Sequence, residues 1–281
     1  MNENGLVLID KEEGMTSRFI DNQIGKLFLT RKVGHLGTLD PFATGLLIVG
    51  VRKGTKFFPY LPEGKKRYQA TLVLGAKTLT GDKEGELLFK KEVPDLEKST
   101  ILRVFEGFLG KSLQKPPLYS AIKVDGKPLY KYARENKTVE RKEREIEIYS
   151  LKLLSLEGNK ISFEALVKKG TYIRVLGEDI AQKLGTYGYL ESLRRLEDAG
   201  VSVSKAKRLS EITKEDILDP TPFLKLKTYS LSLEEWKDVF NGRKIRLSSN
   251  EERLLLLFEG KAVFIYKNIG DSLFEAERGL F

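Results

Sequence analysis

The chain has no cysteine, one histidine, two methionines and one tryptophan in 281 residues. Without cysteine there is no disulfide, no thiol nucleophile and no cysteine-ligated zinc or iron–sulfur centre. A single histidine excludes a histidine-rich metal site, so any chemistry must come from carboxylates, tyrosines, lysines, arginines and hydroxyls. No apolar run approaches the roughly 20 residues that a membrane-crossing helix needs, and Met1–Asp10 lacks the basic start and apolar stretch of a signal peptide. The expected location is therefore the cytoplasm. The strings GxxxxGK[ST], GxGxxG, GxSxG and HExxH are also missing, which removes the common nucleotide, hydrolase and zinc-protease readings. There is no internal repeat, low-complexity tract or Gly/Ser linker.

What the chain does have is charge. Lys and Arg number 49 against 40 Asp and Glu, a net charge of +9, which favours a polyanionic partner. Part of that charge also matches the Lys/Glu-rich, cysteine-free composition of heat-adapted proteins. With 41% hydrophobic residues the chain can build a real core.

Periodicity points to a mixed α+β fold with a largely antiparallel sheet and flanking helices. Strands are expected at Leu6–Ile9, Leu46–Val51, Arg67–Leu74, Arg144–Leu154 and Lys160–Val167, the last alternating Ile161, Phe163, Ala165 and Val167 against polar neighbours. Thr16-Ser17 can cap a helix whose apolar face is Phe19, Ile20, Ile24, Leu27 and Phe28. Further helices are expected at Ser99–Leu109, with Ile101, Leu102, Phe105, Phe108 and Leu109 before Gly110, and at Val175–Leu184 before Gly185. The texture changes after Asp219-Pro220-Thr221-Pro222, so we expect one domain over 1–228 and a small β-rich module over 229–281. In the latter, Ser232 and Glu235 form a capping box for a short helix, followed by strands at 244–247, 254–258 and 262–266. Some fifty residues are few for an autonomous core, so the module should lean on the main domain.

The densest concentration of chemistry lies in Gly34–Gly45, GHLGTLDPFATG, which holds the only histidine, His35, and Asp40 fixed before Pro41. A buried strand follows at once, so the loop is anchored on a rigid element. Pro41 confines Asp40 to extended backbone, and an aspartate near its ordinary pKa of about 3.9 is ionised at neutral pH without an activator. On the dipeptide alone, Asp40-Pro41 reads more readily as a plain turn than as a reactive group.

An ordered set of motifs surrounds this loop. Asp10-Lys11 with Gly14-Met15-Thr16-Ser17 resembles the opening DKPxGxTS of the TruB-type tRNA pseudouridine synthases, with Glu12 where that family usually has proline. Gly34–Gly45 resembles its catalytic loop. Lys66-Arg67-Tyr68, Leu74-Gly75 and Thr78-Leu79-Thr80-Gly81-Asp82 resemble its KxY…LG..T.T.D segment. Pro117-Leu118-Tyr119-Ser120-Ala121, Gly126 and Leu129–Arg134 resemble PxYSA…G…Y..AR, Lys169–Arg174 resembles KGTYIR, and Leu193–Leu196 resembles its LRR element. The set covers roughly the first 200 residues in family order.

The resemblance implies an isomerase that flips uridine 55 out of the tRNA T loop and converts it to pseudouridine, with no metal or organic cofactor. By resemblance, Asp40 is the nucleophile, attacking the uracil ring or the ribose C1′ or assisting a glycal route. Arg174 pairs with it, Tyr68 stacks on the uracil, Tyr172 and Leu193 line the pocket, and His35 stacks in the opened T loop. Read without the family, Tyr68, Tyr172 and Leu193 are core residues and Arg174 a surface arginine. The resemblance also implies an RNA-gripping insertion at roughly 111–144, a PUA-like C-terminal module, the tRNA T-arm as partner, no membrane, no obligatory protein partner and a monomer. Two alternatives stand beside it: a tRNA-binding folding factor with secondary isomerase activity, and the catalytic subunit of a guide-RNA pseudouridylation complex.

Overall fold

The computed structural model describes residues 4–280 except 63, 136 and 138. The first three residues of the N-terminal stretch read above, and 136 and 138 of the expected insertion, thus lie outside the described residues. In chain order the main part contains β1 (Gly5–Lys11), α1 (Ser17–Leu27), β2 (Val33–Leu36), β3 (Thr44–Val51), a 3-10 segment (Arg52–Tyr60), β4 (Lys65–Leu74), a hairpin of β5 (Ala76–Thr78) and β6 (Leu87–Lys90), α2 (Lys98–Glu106) and β7 (Gly110–Gln114). The insertion carries β8 (Lys123–Val124), β9 (Lys127–Pro128) and α3 (Leu129–Arg134). Then come β10 (Arg144–Glu157), β11 (Lys160–Lys168), α4 (Ile173–Lys183), β12 (Gly188–Asp198), β13 (Val201–Ser202) and β14 (Lys207–Arg208). A second group follows: β15 (Lys227–Ser230), α5 (Leu233–Phe240), β16 (Ile245–Arg246), β17 (Arg253–Phe258), β18 (Lys261–Asn268) and β19 (Leu273–Gly279).

The main sheet runs β14-β1-β3-β12-β4-β11-β10-β7, with β2 on β3 and β13 on β12. It is antiparallel except for β1–β14 and β3–β12. This is the α+β architecture that the pattern of strands without regular βαβ alternation implies. Because strand side chains alternate between faces, β1 and β3 feed two cores. Val7, Ile9, Leu47 and Val49 join Ile20 and Ile24 of α1, Ile101 and Phe105 of α2, and Leu176 and Ile180 of α4 on one face. On the other, Leu6, Leu8, Leu46 and Ile48 meet Phe57 and Leu61 and, from the second sheet, Leu255, Ile265 and Leu280. Each such side chain contributes about 1.5–3 kcal/mol when fully buried.

Thr16 caps α1 by accepting from the Phe19 amide, and Ser232 and Glu235 close their capping box at α5. Other details depart from the sequence pattern. Phe19 on α1 and Leu102 on α2 are exposed, and α2 stops at Gly107 rather than Gly110, with Leu109 exposed beyond its end. The C-terminal sheet has five strands in the order β15-β17-β18-β19-β16, not three. The central strand β12 has no clean two-residue alternation. Register shifts between Leu190 and Ser192 and between Arg195 and Glu197 break the period that sequence reading depends on.

Candidate active site

The loop from Gly37 to Ala43 joins β2 to β3, and its shape is fixed by groups from three distant segments. The Ser17 hydroxyl, at the start of α1, accepts from the Leu39 amide (3.0 Å) and contacts the Leu39 carbonyl (3.1 Å). The Gly14 amide donates to the Pro41 carbonyl at 2.9 Å. Lys11, almost fully buried, donates to the carbonyls of Glu12 (3.0 Å), Pro41 (3.0 Å) and Ala43 (2.6 Å). Burial pulls the Lys11 ammonium down to about 8, against the attraction of Asp40. From β12, the fully buried Arg195 donates to the carbonyls of Gly37 (3.0 Å) and Leu46 (2.7 Å) and lies 3.5 Å from the Asp198 carboxylate, which Lys66 also reaches at 2.9 Å. Each contact ties one resembling motif to the loop. Its neighbour on β12, Arg194, grips Asp10 with two bonds of 2.9 and 2.7 Å.

This scaffold sets Asp40 opposite Arg174 at the N-terminal end of α4. Arg174 Nε lies 2.9 Å from Asp40 Oδ2 and Nη2 donates to Oδ1 at 3.2 Å, a two-point grip. The remaining donors are also engaged: Nη1 with the Thr80 carbonyl (2.6 Å) and the Asp82 carboxylate (3.6 Å), and Nη2 with the Tyr119 carbonyl (2.8 Å). Arg174 is 4% exposed while the Asp40 side chain is 35% exposed, so the pair presents its carboxylate outward. Asp82 is held in turn by the Thr80 hydroxyl (2.6 Å) and the Glu84 amide (3.1 Å).

The carboxylate opens into a cavity of about 350 Å³ lined by Asp40, Tyr68, Ser120, Tyr172, Arg174 and Leu193, among others. Tyr68 of β4 sits opposite Arg195 of β12 and Ala165 of β11, so its ring rises from the middle of the sheet. Leu193 of β12 is across from Ala70, and Tyr172 immediately precedes α4. Five of the six residues expected at the site thus share one cavity although the sequence spreads them over more than half the chain. His35 is not among its lining residues. It sits on β2 with Nδ1 2.9 Å from Asp21 and Nε2 3.1 Å from Thr38, which itself borders the cavity, so the ring is held at the rim.

Burial raises the Asp40 carboxyl above its ordinary value; Arg174 opposes that rise and Asp82 adds to it. The simple sequence view of an unperturbed aspartate is therefore incomplete, because the arginine offsets a desolvation that the sequence does not reveal. Burial likewise raises the Tyr172 hydroxyl. Among the described residues no three His, Asp or Glu side chains group as metal ligands.

The profile described as TruB family pseudouridylate synthase (N terminal domain) matches residues 26–173. The chain belongs to the TruB family. Its relatives named tRNA pseudouridine synthase B include that of Hydrogenovibrio crunogenus, 41% identical over 266 residues, covering 93% of this chain and 88% of the relative. Another, from Streptococcus sanguinis, is 38% identical over 276 residues, covering 93% and 94%. A third, from Oenococcus oeni, is 42% identical over 258 residues, covering 85% of each. Among solved structures, the crystal structure of a Cbf5-Nop10-Gar1 complex aligns with 99% of this chain and 85% of that chain at a TM-score of 0.72 and 22% identity, a likeness of fold.

In this TruB-family chain several site residues have no signature outside the motifs. Lys11, Ser17, Asp82 and Arg195 stand in the family-like motifs, but their roles as loop and arginine holders come from contacts across the fold. Asp21 and Gln114 lie in no quoted motif; Asp21 holds His35, and Gln114 holds the backbone of Tyr172. A lone buried Asp or Gln inside an otherwise ordinary helix or strand carries no local signal.

Proposed function

We propose that the protein is a tRNA pseudouridine-55 synthase that flips uridine 55 of the T loop into the Asp40 cavity and isomerises it, with Asp40 as nucleophile. The reaction breaks the N1–C1′ bond, forms the C5–C1′ bond and in sum moves a proton from C5 to N1, so nothing is consumed. The observation that carries the reading is the Asp40 carboxylate gripped at two points by buried Arg174 on the floor of a cavity walled by Tyr68, Tyr172 and Leu193. A base stacked in the T loop is out of reach of that carboxylate, so extrusion, costing a few kcal/mol, comes first.

Roles follow from placement. Arg174 orients the carboxylate and favours its ionised form against burial. Tyr68 offers a rigid ring to the uracil face and a hydroxyl for late proton transfer. Tyr172 and Leu193 close the pocket. His35, fixed at the rim by Asp21 and Thr38, stacks on nucleotides beside the extruded base. The insertion at 111–144 brings Lys115, Lys123, Lys127, Lys131 and Arg134 with Tyr119, Tyr130 and Tyr132 toward RNA, and its Ser120, Ala121 and Ile122 line the cavity. We further assign 1–228 as the catalytic domain and 229–281 as a PUA-like RNA-binding module. The enzyme acts in the cytoplasm as a monomer and needs no protein partner and no cofactor.

The test is to supply unmodified tRNA with tritium at uridine C5 and follow tritium release and the position of pseudouridine. Release accompanied by pseudouridine at position 55 supports the assignment; absence of release, or product elsewhere, contradicts it. Activity that appears only when accessory proteins are added would contradict the stand-alone part of the reading.

A further inference from the structure

Gln114 is the last residue of β7, the edge strand of the main sheet, and stands at the root of the expected insertion. Its side chain is buried and turns away from the strand to the peptide preceding α4. The Tyr172 amide donates to Gln114 Oε1 at 2.8 Å, and Gln114 Nε2 donates to the Tyr172 carbonyl at 3.1 Å. The two bonds are reciprocal, and a neutral carboxamide is the side chain that supplies both a donor and an acceptor for a single residue's N–H and C=O. Tyr172 contributes no side-chain cap to α4, and beside the helical bond from the Leu176 amide to its carbonyl, Gln114 is a side-chain anchor for the backbone from which Tyr172 and, two residues on, Arg174 project. A second tether lies beside it: Arg174 Nη2 donates to the carbonyl of Tyr119, five residues beyond Gln114.

We infer that Gln114 is a positioning residue for the reaction: its clamp on Tyr172 holds the Tyr172 ring and the Arg174 guanidinium in register with Asp40, joining the root of the RNA-gripping insertion to the reacting centre. This rests on the assignment of Asp40, Tyr172 and Arg174 made above. Gln114 touches neither base nor ribose in this scheme, so its loss slows the chemical step and leaves RNA capture intact.

The experiment compares wild type, Gln114→Leu, Gln114→Glu and Asp40→Asn on unmodified tRNA, measuring single-turnover pseudouridine formation, KM and equilibrium tRNA binding between about pH 5 and 9. Gln114→Leu removes both bonds and is expected to lower kcat by about 10- to 100-fold, as a misplaced reacting group does, with KM and binding within about twofold. Gln114→Glu keeps the acceptor for the Tyr172 amide and regains a donor for its carbonyl when protonated. Its rate relative to wild type at the same pH should therefore rise toward one as pH falls. The ionisable groups about position 114 include Lys115 beside it, Arg144 and Glu145 on the paired strand β10, Arg141 on the Pro116 carbonyl, and Tyr172, Arg174 and Asp40; all are common to both proteins, so titration that is not coupled to position 114 divides out of the ratio. Wild-type kcat in both Gln114 variants, a Gln114→Glu deficit that does not vary with pH, or a loss confined to KM would overturn the inference. If Gln114→Leu fails to fold, the Gln114→Glu ratio decides alone. The Asp40→Asn protein separates the two levels: turnover there overturns the site assignment, whereas an inactive Asp40→Asn beside unaffected Gln114 variants overturns the clamp only.

Discussion

At the scale of single residues, the site is a contest between burial and pairing around one carboxylate. Burial raises Asp40's pKa, and Arg174 is the largest force pulling it back. In the proposed reaction the carboxylate is the reactive form, so activity should be lost as pH falls through the raised pKa, and the acid limb of kcat against pH should lie above that of a free aspartate. Arg174→Lys keeps a charge but loses the two-point grip, so the limb should move to higher pH and kcat should fall by about 100-fold. A pH–rate profile checks both; an unmoved limb would remove Arg174 from the role. These residues were legible in the sequence only as members of motifs. Nothing local says that Arg174 is buried, since arginine is ordinarily exposed, and Lys11 is a sharper case still, a lysine with its ammonium inside the fold on three carbonyls.

At the scale of elements, the catalytic loop is shaped by the strand beside it as much as by its own glycines. Gly45 at the start of β3 has φ of +98°, and a Cβ there would stand 2.3 Å from the Arg195 carbonyl of β12. Gly45→Ala should therefore cost more than the roughly 1–3 kcal/mol of backbone strain alone, whereas Gly14→Ala, with φ of +81° and nothing within 4 Å of the added methyl, should cost only the strain. Urea unfolding of the two variants measures this, and equal midpoints would contradict the packing argument. Strands with clean alternation, such as β11, were readable from sequence to within a residue. β12 was not, because its bulges disrupt the period, and yet it supplies Leu193 and Arg195 from the middle of the sheet. Short edge strands such as β15 and β16 carry too few residues for any period to show.

For the whole molecule, the second sheet is part of the support for the site. Leu255, Ile265 and Leu280 cover Leu6, Leu8, Leu46 and Ile48 on the paired strands β1 and β3, the second of which leads out of the Asp40 loop. Ending the chain after 228 uncovers that apolar face, so the shortened protein should melt at lower temperature and self-associate. Thermal unfolding and sedimentation would show it, and an unchanged, monodisperse protein would refute the shared core. Sequence texture suggested a change near 219–222 but could not say that the two sheets share side chains, because such contacts join residues more than 200 positions apart. What sequence order did carry is the set of motifs, and the fold explains the set: Lys11, Ser17, Arg174 and Arg195 hold Asp40 or the loop around it, and Asp82 lies against Arg174.

The most direct test of that convergence is single-turnover pseudouridine formation at uridine 55 by Asp40→Asn, measured beside its equilibrium binding of the same unmodified tRNA. The replacement is nearly the same size and exchanges one carboxylate oxygen for an NH2 group, which removes the charge. The account predicts no detectable product with binding close to wild type; product formed at a rate near wild type would contradict it.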